Sequence, residues 1–165
     1  MKSQFLDDDD IKSINLWISK MEKYENLDKG QRTNKAKDIL NLKYPILGVG
    51  NRRIVYDLNN GCILKIPTID EGLKNNKNEY KIYKNCPAVL KKHLCPVEEF
   101  EHGWIVMRKM TVRMQRNDSY KQKSAILRDD FMRFGIIPKD MKRINVRLSD
   151  EGELIVIDYG SFIMR

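Results

Sequence analysis

"PKDMKRINVRLSDEGELIVIDYG", Pro138 to Gly160, packs an unusual set of groups into a short stretch. An acid stands at Asp140, a lysine at Lys142 and an amide at Asn145, with four residues between acid and amide. The turn "SDEG" follows, then the apolar run Leu154 to Ile157, which closes on a second acid, Asp158, before Tyr159-Gly160. The apolar run predicts a short buried strand, and Asp158 sits where that strand ends. Two carboxylates and an amide at these spacings raise the question of what chemistry they share.

Upstream, Tyr120, Leu127, Phe131 and Phe134 predict a long helix that Gly135 stops. "VEEFEHGWIVM" predicts a hairpin turning at His102-Gly103, and residues 71 to 85 a helix ended by Pro87. "ILGVGNRRIVYDL", the turn "NNG" and "CILKIP" predict antiparallel strands rich in β-branched residues. Before them, Ile11, Ile14, Trp17, Ile18, Met21 and Tyr24 recur at helical spacing, so residues 7 to 28 read as a helix with Asp7 to Asp10 at its N-terminus. Gly30 and Gln31 read as its break, and Thr33 as the cap of a second helix that Pro45 bars from continuing. The order gives an α+β layout: helices, an antiparallel sheet interrupted by one helix, then helix and strand.

Composition bounds the class. The 165 residues suit one domain or two small lobes, and 41% hydrophobic against 33% charged residues is a globular balance. No apolar run is long enough for a membrane span, and "MKSQFLDDDD" has acids where a signal peptide has an apolar core, so the expectation is a cytoplasmic protein, or one in the cytosol of a host cell. Cys62, Cys86 and Cys95 form no C-x-x-C pair, which fits a reducing compartment. The net charge of +8 favours a nucleotide, nucleic acid or an acidic protein face; a lysine-rich solubilising surface is the plain alternative.

Phosphoryl transfer from ATP requires a covering loop of little bulk, a lysine for the phosphates, a carboxylate to aim that lysine, oxygen ligands for magnesium and an acid for the attacking hydroxyl. The chain supplies these in order. Gly48 and Gly50 lie between strands, Lys65 is on the next strand, and Glu79 is on the following helix, with Glu71 a competing acid. Asp140, Asn145 and Asp158 follow. Here the sequence resembles the protein-kinase superfamily. "DMKRINVRL" is similar to its catalytic loop, "IDYG" to its D-F-G, and "GVGNRRIVY" with "ILK" to its glycine loop and third strand. The likeness runs from about Ile46 to Gly160.

The resemblance implies a small antiparallel-sheet N-lobe with a helix C equivalent, residues 45 to 110, and a truncated helical C-lobe, residues 111 to 165. Residues 1 to 44 are then a helical extension, whose apolar stripe reads as packing rather than as a partner surface. It also implies ATP and Mg²⁺ as cofactors. Lys65, paired with Glu79, would hold phosphates, beside Gly48 and Gly50. Asp140 would orient the acceptor hydroxyl and Lys142 would neutralise the transferring group. Asn145 and Asp158 would bind the metal, and backbone near Met107, Arg108 and Met110 would meet adenine. Departures from the pattern are Arg53 for the third glycine, Pro138-Lys139 for His-Arg, and an end at "DYGSFIMR" without an activation segment, as in small bacterial effector and phage kinases.

Two function classes follow: a phosphotransferase acting on Ser/Thr of a protein or on itself, and a pseudokinase-like module that binds a partner with an acidic face. Nucleic acid, suggested by Arg108, Lys109, Arg113, Arg116, Lys121 and Lys123, is not favoured, because no aromatic residue interleaves them before Tyr120. Cys86, His93, Cys95 and His102 lack the close pairs of a zinc site.

Overall fold

Four successive aspartates do start a helix. In the computed structural model, which describes residues 2 to 165, helix α1 (Asp8–Lys20) is capped by Asp7, whose carboxylate accepts from Asp10 N while the Asp10 side chain accepts from Asp7 N. These reciprocal bonds satisfy amides that the first helical turn leaves without partners. A short 3₁₀ turn (Met21–Tyr24) ends the segment. Helix α2 (Lys29–Leu40) begins earlier than Thr33 suggests: the Asp28 side chain accepts from Gln31 N at 2.9 Å, so Gly30 and Gln31 lie inside the first turn. Asn41 closes α2 in the left-handed region, at φ 43°.

The chain divides into two compact units, residues 1–76 with 98–109 and residues 77–97 with 110–165. The first is built on a five-stranded antiparallel sheet. Its strands are β1 (Ile46–Val49), β2 (Arg53–Asp57), β3 (Cys62–Pro67), β4 (Val97–Glu101) and β5 (Trp104–Arg108), in the order β1-β2-β3-β5-β4. The turn between β2 and β3 uses Asn59 at φ 59° and Gly61 at φ 86°, the left-handed conformations such a tight reversal needs. Leu64, Ile66, Ile54, Tyr56 and Val106 share one core with Ile14, Trp17, Ala36 and Leu40. The apolar stripe of the first helices therefore packs on the sheet. Trp17 fixes the packing, since its Nε1 donates to the Pro67 carbonyl at 2.8 Å.

Helix α3 (Asp70–Asn85) is uninterrupted and runs through the division between the units. In the second unit, α4 (Ala88–Lys91) leads to Leu94, which bridges Val156 in parallel, and helix α5 (Asp118–Arg133) follows. Asn117 caps α5, and Gly135, at φ 79°, follows its end. Strand β6 (Ile136–Ile137) pairs with β9 (Ile163–Met164), and β7 (Val146–Leu148) pairs with β8 (Leu154–Val156). The core here is Leu127, Phe131, Ile136, Met141, Val146, Val156, Tyr159 and Phe162, with Phe131 edge-on to Phe162 at 5.5 Å between ring centres. Among the described residues no helix is long and apolar enough to cross a membrane.

Gly72, in the first turn of α3, tests how tightly this frame is packed. A Cβ there would lie 2.3 Å from the Arg52 carbonyl oxygen and 2.8 Å from Pro67 Cβ. Alanine gains about 1 kcal/mol of helix propensity, but overpacking costs about 1–3 kcal/mol, and backbone cannot swing aside. Gly72→Ala is expected to lower stability by about 1–2 kcal/mol, seen as a lower urea midpoint at unchanged slope.

Candidate functional site

In the sheet unit, Gly50 N donates to the Arg53 carbonyl at 2.9 Å, closing the loop from β1 to β2. Gly48 lies within β1, where the pairing with β2 shifts register between Ile46 and Gly48, and a Cβ on it would meet nothing within 4 Å. Lys65 lies in mid-strand opposite Val55 and Ile105 and is 4% exposed. Its carbonyl accepts from Asn76 Nδ2 at 3.3 Å, and Asn76 Oδ1 accepts from Arg53 Nη1 at 2.9 Å. Arg53, which stands where the resemblance has a third glycine, is thus a buried brace between β2 and α3. Asn76 escaped sequence reasoning, since nothing marks one amide in "KNNKNE" as buried.

At the end of β5, Met107 is buried opposite Ile63, whereas Arg108 is exposed and pairs with Glu98 at 3.0 Å. Lys109 N donates to the Gly61 carbonyl, and its ammonium sits 2.7 Å from Asp57. These bonds tie the chain leaving β5 to the turn between β2 and β3. Met110 opens the second unit.

There, Asp140 adopts φ 60°, a left-handed conformation that costs most residues about 1 kcal/mol and that Asp and Asn tolerate best. The twist points its carbonyl back into the loop, where it accepts from Lys142 N at 2.9 Å and from Asn145 Nδ2 at 3.0 Å. Lys142 Nζ lies 3.1 Å from Asp140 Oδ1, with both side chains at least half exposed. Asn145 N donates to the Lys142 carbonyl, and the Asn145 carbonyl accepts from Ile157 N at 2.8 Å, next to Asp158. Asp140, Lys142 and Asn145 are therefore one hydrogen-bonded unit, joined through the Asn145–Ile157 backbone bond to the segment carrying Asp158.

That segment is fixed from several sides. Tyr159 N donates to Glu79 Oε1 at 3.2 Å, and the Tyr159 hydroxyl donates to the Cys95 carbonyl at 2.7 Å. Asn78 Nδ2 donates to the carbonyls of Gly160 and Phe162 at 2.8 and 2.7 Å. Burial, reinforced by the nearby Glu79 carboxylate, holds the Tyr159 phenol far above its ordinary value, so it stays a neutral donor. Of the two acids that spacing left in competition, Glu79 is fully buried and Glu71 is exposed. Pro138-Lys139 precede Asp140 where the resemblance has His-Arg, and the turn after Asp158 is held by these bonds to Glu79, Cys95 and Asn78. His93 sits before β4, where its Nδ1 lies 2.8 Å from the Leu154 carbonyl.

These features define a protein-kinase-like fold, and solved structures agree. The chain resembles three structures of WbdD, described in one of them as a bifunctional kinase-methyltransferase. A co-crystal structure with the kinase inhibitor LY294002 matches at TM-score 0.55 and 16% identity, over 73% of this chain and 33% of that one. A high-resolution structure matches at 0.54 and 17%, over 69% and 31%, and a medium-resolution one at 0.52 and 16%, over 70% and 31%. The chain thus spans about a third of WbdD's length, and at these identities the likeness is one of fold. No protein-family model matches the sequence, and no curated protein matches it.

Two outcomes follow from this geometry. Tyr159→Phe keeps the ring and removes the bond to Cys95, and is expected to cost about 1–2 kcal/mol in urea unfolding. Lys109 holds the Asp57 carboxyl below its ordinary value of 3.8, so Asp57 contributes stability above that pH and loses it as pH falls through the lowered value. Asp57→Asn should therefore flatten the acid side of the profile, measured as urea midpoint from neutral pH downward.

Proposed function

We propose that the protein binds ATP with Mg²⁺ and transfers the terminal phosphoryl group to a serine or threonine hydroxyl of a protein or of itself. The observation that carries this reading is the bonded cluster of Asp140, Lys142 and Asn145, joined to the strand end that bears Asp158. On the kinase resemblance, Lys65 of the sheet unit would hold phosphates beside Gly48 and Gly50, and Glu79 would be the carboxylate that aims it. Backbone from Met107 to Met110 meets the adenine.

Asn145 and Asp158 offer an amide oxygen and a carboxylate, the hard donors that Mg²⁺ prefers. When bound, the ion neutralises charge on the nucleotide phosphates. The protein's own residues do the rest. Asp140 orients the acceptor hydroxyl and takes its proton as the new P–O bond forms and the bond to ADP breaks. Lys142, held beside Asp140, offsets negative charge on the group in transfer. The left-handed turn at Asp140 presents its carboxylate to solvent and spends its carbonyl on Asn145, so acid and amide keep a fixed spacing.

ATP with Mg²⁺ is expected to raise the melting temperature, corresponding to about 2.7 kcal/mol at roughly 100 times Kd. Asp140→Asn should keep that shift and reduce labelled-phosphate incorporation by about 10²–10⁴-fold. Asp158→Asn should remove the metal-dependent part of the shift. No shift at millimolar nucleotide would overturn the reading. A wild type that binds ATP but incorporates nothing, with Asp140→Asn equally active in its biological effect, would replace it with a binding module.

A further inference from the structure

Beside the catalytic loop, wholly within the second unit, lies an open cleft of about 720 Å³. Its wall includes Arg116, Lys121, Arg128, Lys142 and Arg143, with Tyr120 the aromatic member, and no carboxylate lines it. The placement follows from helix geometry. Lys121 and Arg128 stand seven residues apart on α5 and so share a face, while Lys142 and Arg143 come from the catalytic loop. Asp118, a turn before Lys121, does not line the cleft.

Like charges gathered around one cavity repel, and surface cations usually find carboxylates nearby. Among the described residues, Arg116, Lys121, Arg128 and Arg143 make no ion pair. Two of them are nevertheless aimed: Arg128 Nη2 donates to the Met141 carbonyl at 2.8 Å, and Arg143 Nη1 to the Met114 carbonyl at 3.2 Å. Each guanidinium has five donors, so one backbone bond fixes its direction and leaves most of its capacity uncommitted. Such fixed forks suit carboxylates.

We infer that this cleft seats an acidic peptide segment. If the phosphotransferase reading holds, on which this last step rests, the segment carries the acceptor hydroxyl, because Lys142 lines the cleft and also touches Asp140. A peptide fits better than nucleic acid. The cations converge on one cavity instead of following a backbone track, and Ala125 and Met141 give its wall apolar contacts.

The test uses the full chain and three short fluorescent probes in anisotropy titrations: a serine peptide flanked by Asp and Glu, its Lys/Arg counterpart, and a single-stranded oligonucleotide. The acidic peptide should bind at least about tenfold tighter than the basic one and weaken as salt rises. R116E/K121E alters two exposed residues that hold nothing else in the fold, and should weaken acidic-peptide binding by about tenfold or more. The ATP and Mg²⁺ melting shift should be unchanged in this variant. Equal binding of both peptides, binding untouched by R116E/K121E, or an oligonucleotide that outcompetes the acidic peptide would overturn the inference. Charge-dependent peptide binding in a protein that shows no nucleotide shift would uphold the cleft and overturn the catalytic reading instead.

Discussion

Backbone groups taken out of water must find partners, and helix α3 supplies side chains to them in both units of this chain. Within the sheet unit, Asn76 joins Arg53 to the Lys65 carbonyl. Within the second unit, Asn78 takes up the carbonyls of Gly160 and Phe162, and Glu79 accepts from Tyr159 N. Polar side chains here do what an apolar stripe does elsewhere. They specify position by direction, since a hydrogen bond fails at an angle that a methyl contact would tolerate. A fully buried Glu79 with one partner lost would be costly, so the turn after Asp158 and the helix hold one another in place.

Much of the fold was legible because its signals are local. The β-branched strands, the Asn-Asn-Gly turn and the stop at Gly135 each follow from neighbouring residues, and the sheet formed from them as expected. The start of α2 was misplaced for a physical reason. Gly30 weakens a helix interior, but in the first turn its penalty is offset by the Asp28 cap, and a cap can be recognised only once the helix is known. The kinase-like spacing of Asp140, Asn145 and Asp158 was readable because the three stand within one short stretch of sequence. The roles of Arg53, Asn76 and Asn78 were not. Their partners lie between 11 and 84 residues away, and a buried amide reads in sequence like an exposed one.

The first forty-odd residues join the sheet rather than decorate it. Trp17, buried and bonded to the Pro67 carbonyl, sits at the end of β3, the strand that also carries Lys65. Gly103, in the turn before β5, lies so close to Ile14 and Ile18 of α1 that a Cβ would fall 2.9 Å from the latter. Shared packing of this kind couples the position of the lysine strand to helices that lie outside the region of kinase resemblance.

The strand order β1-β2-β3-β5-β4 leaves β1 and β4 as the two margins of the sheet, and the two differ in character. Along β4 stand Glu98, Glu99 and Glu101, while β1 ends in the glycine-bearing loop. An unpaired margin is a template for another chain, and a row of like charges is among the commonest ways to blunt it. A second copy laid alongside β4 would set glutamates against glutamates. This sheet therefore resists growth by stacking its own kind, and a strand that did add to β4 would have to bring cations with it.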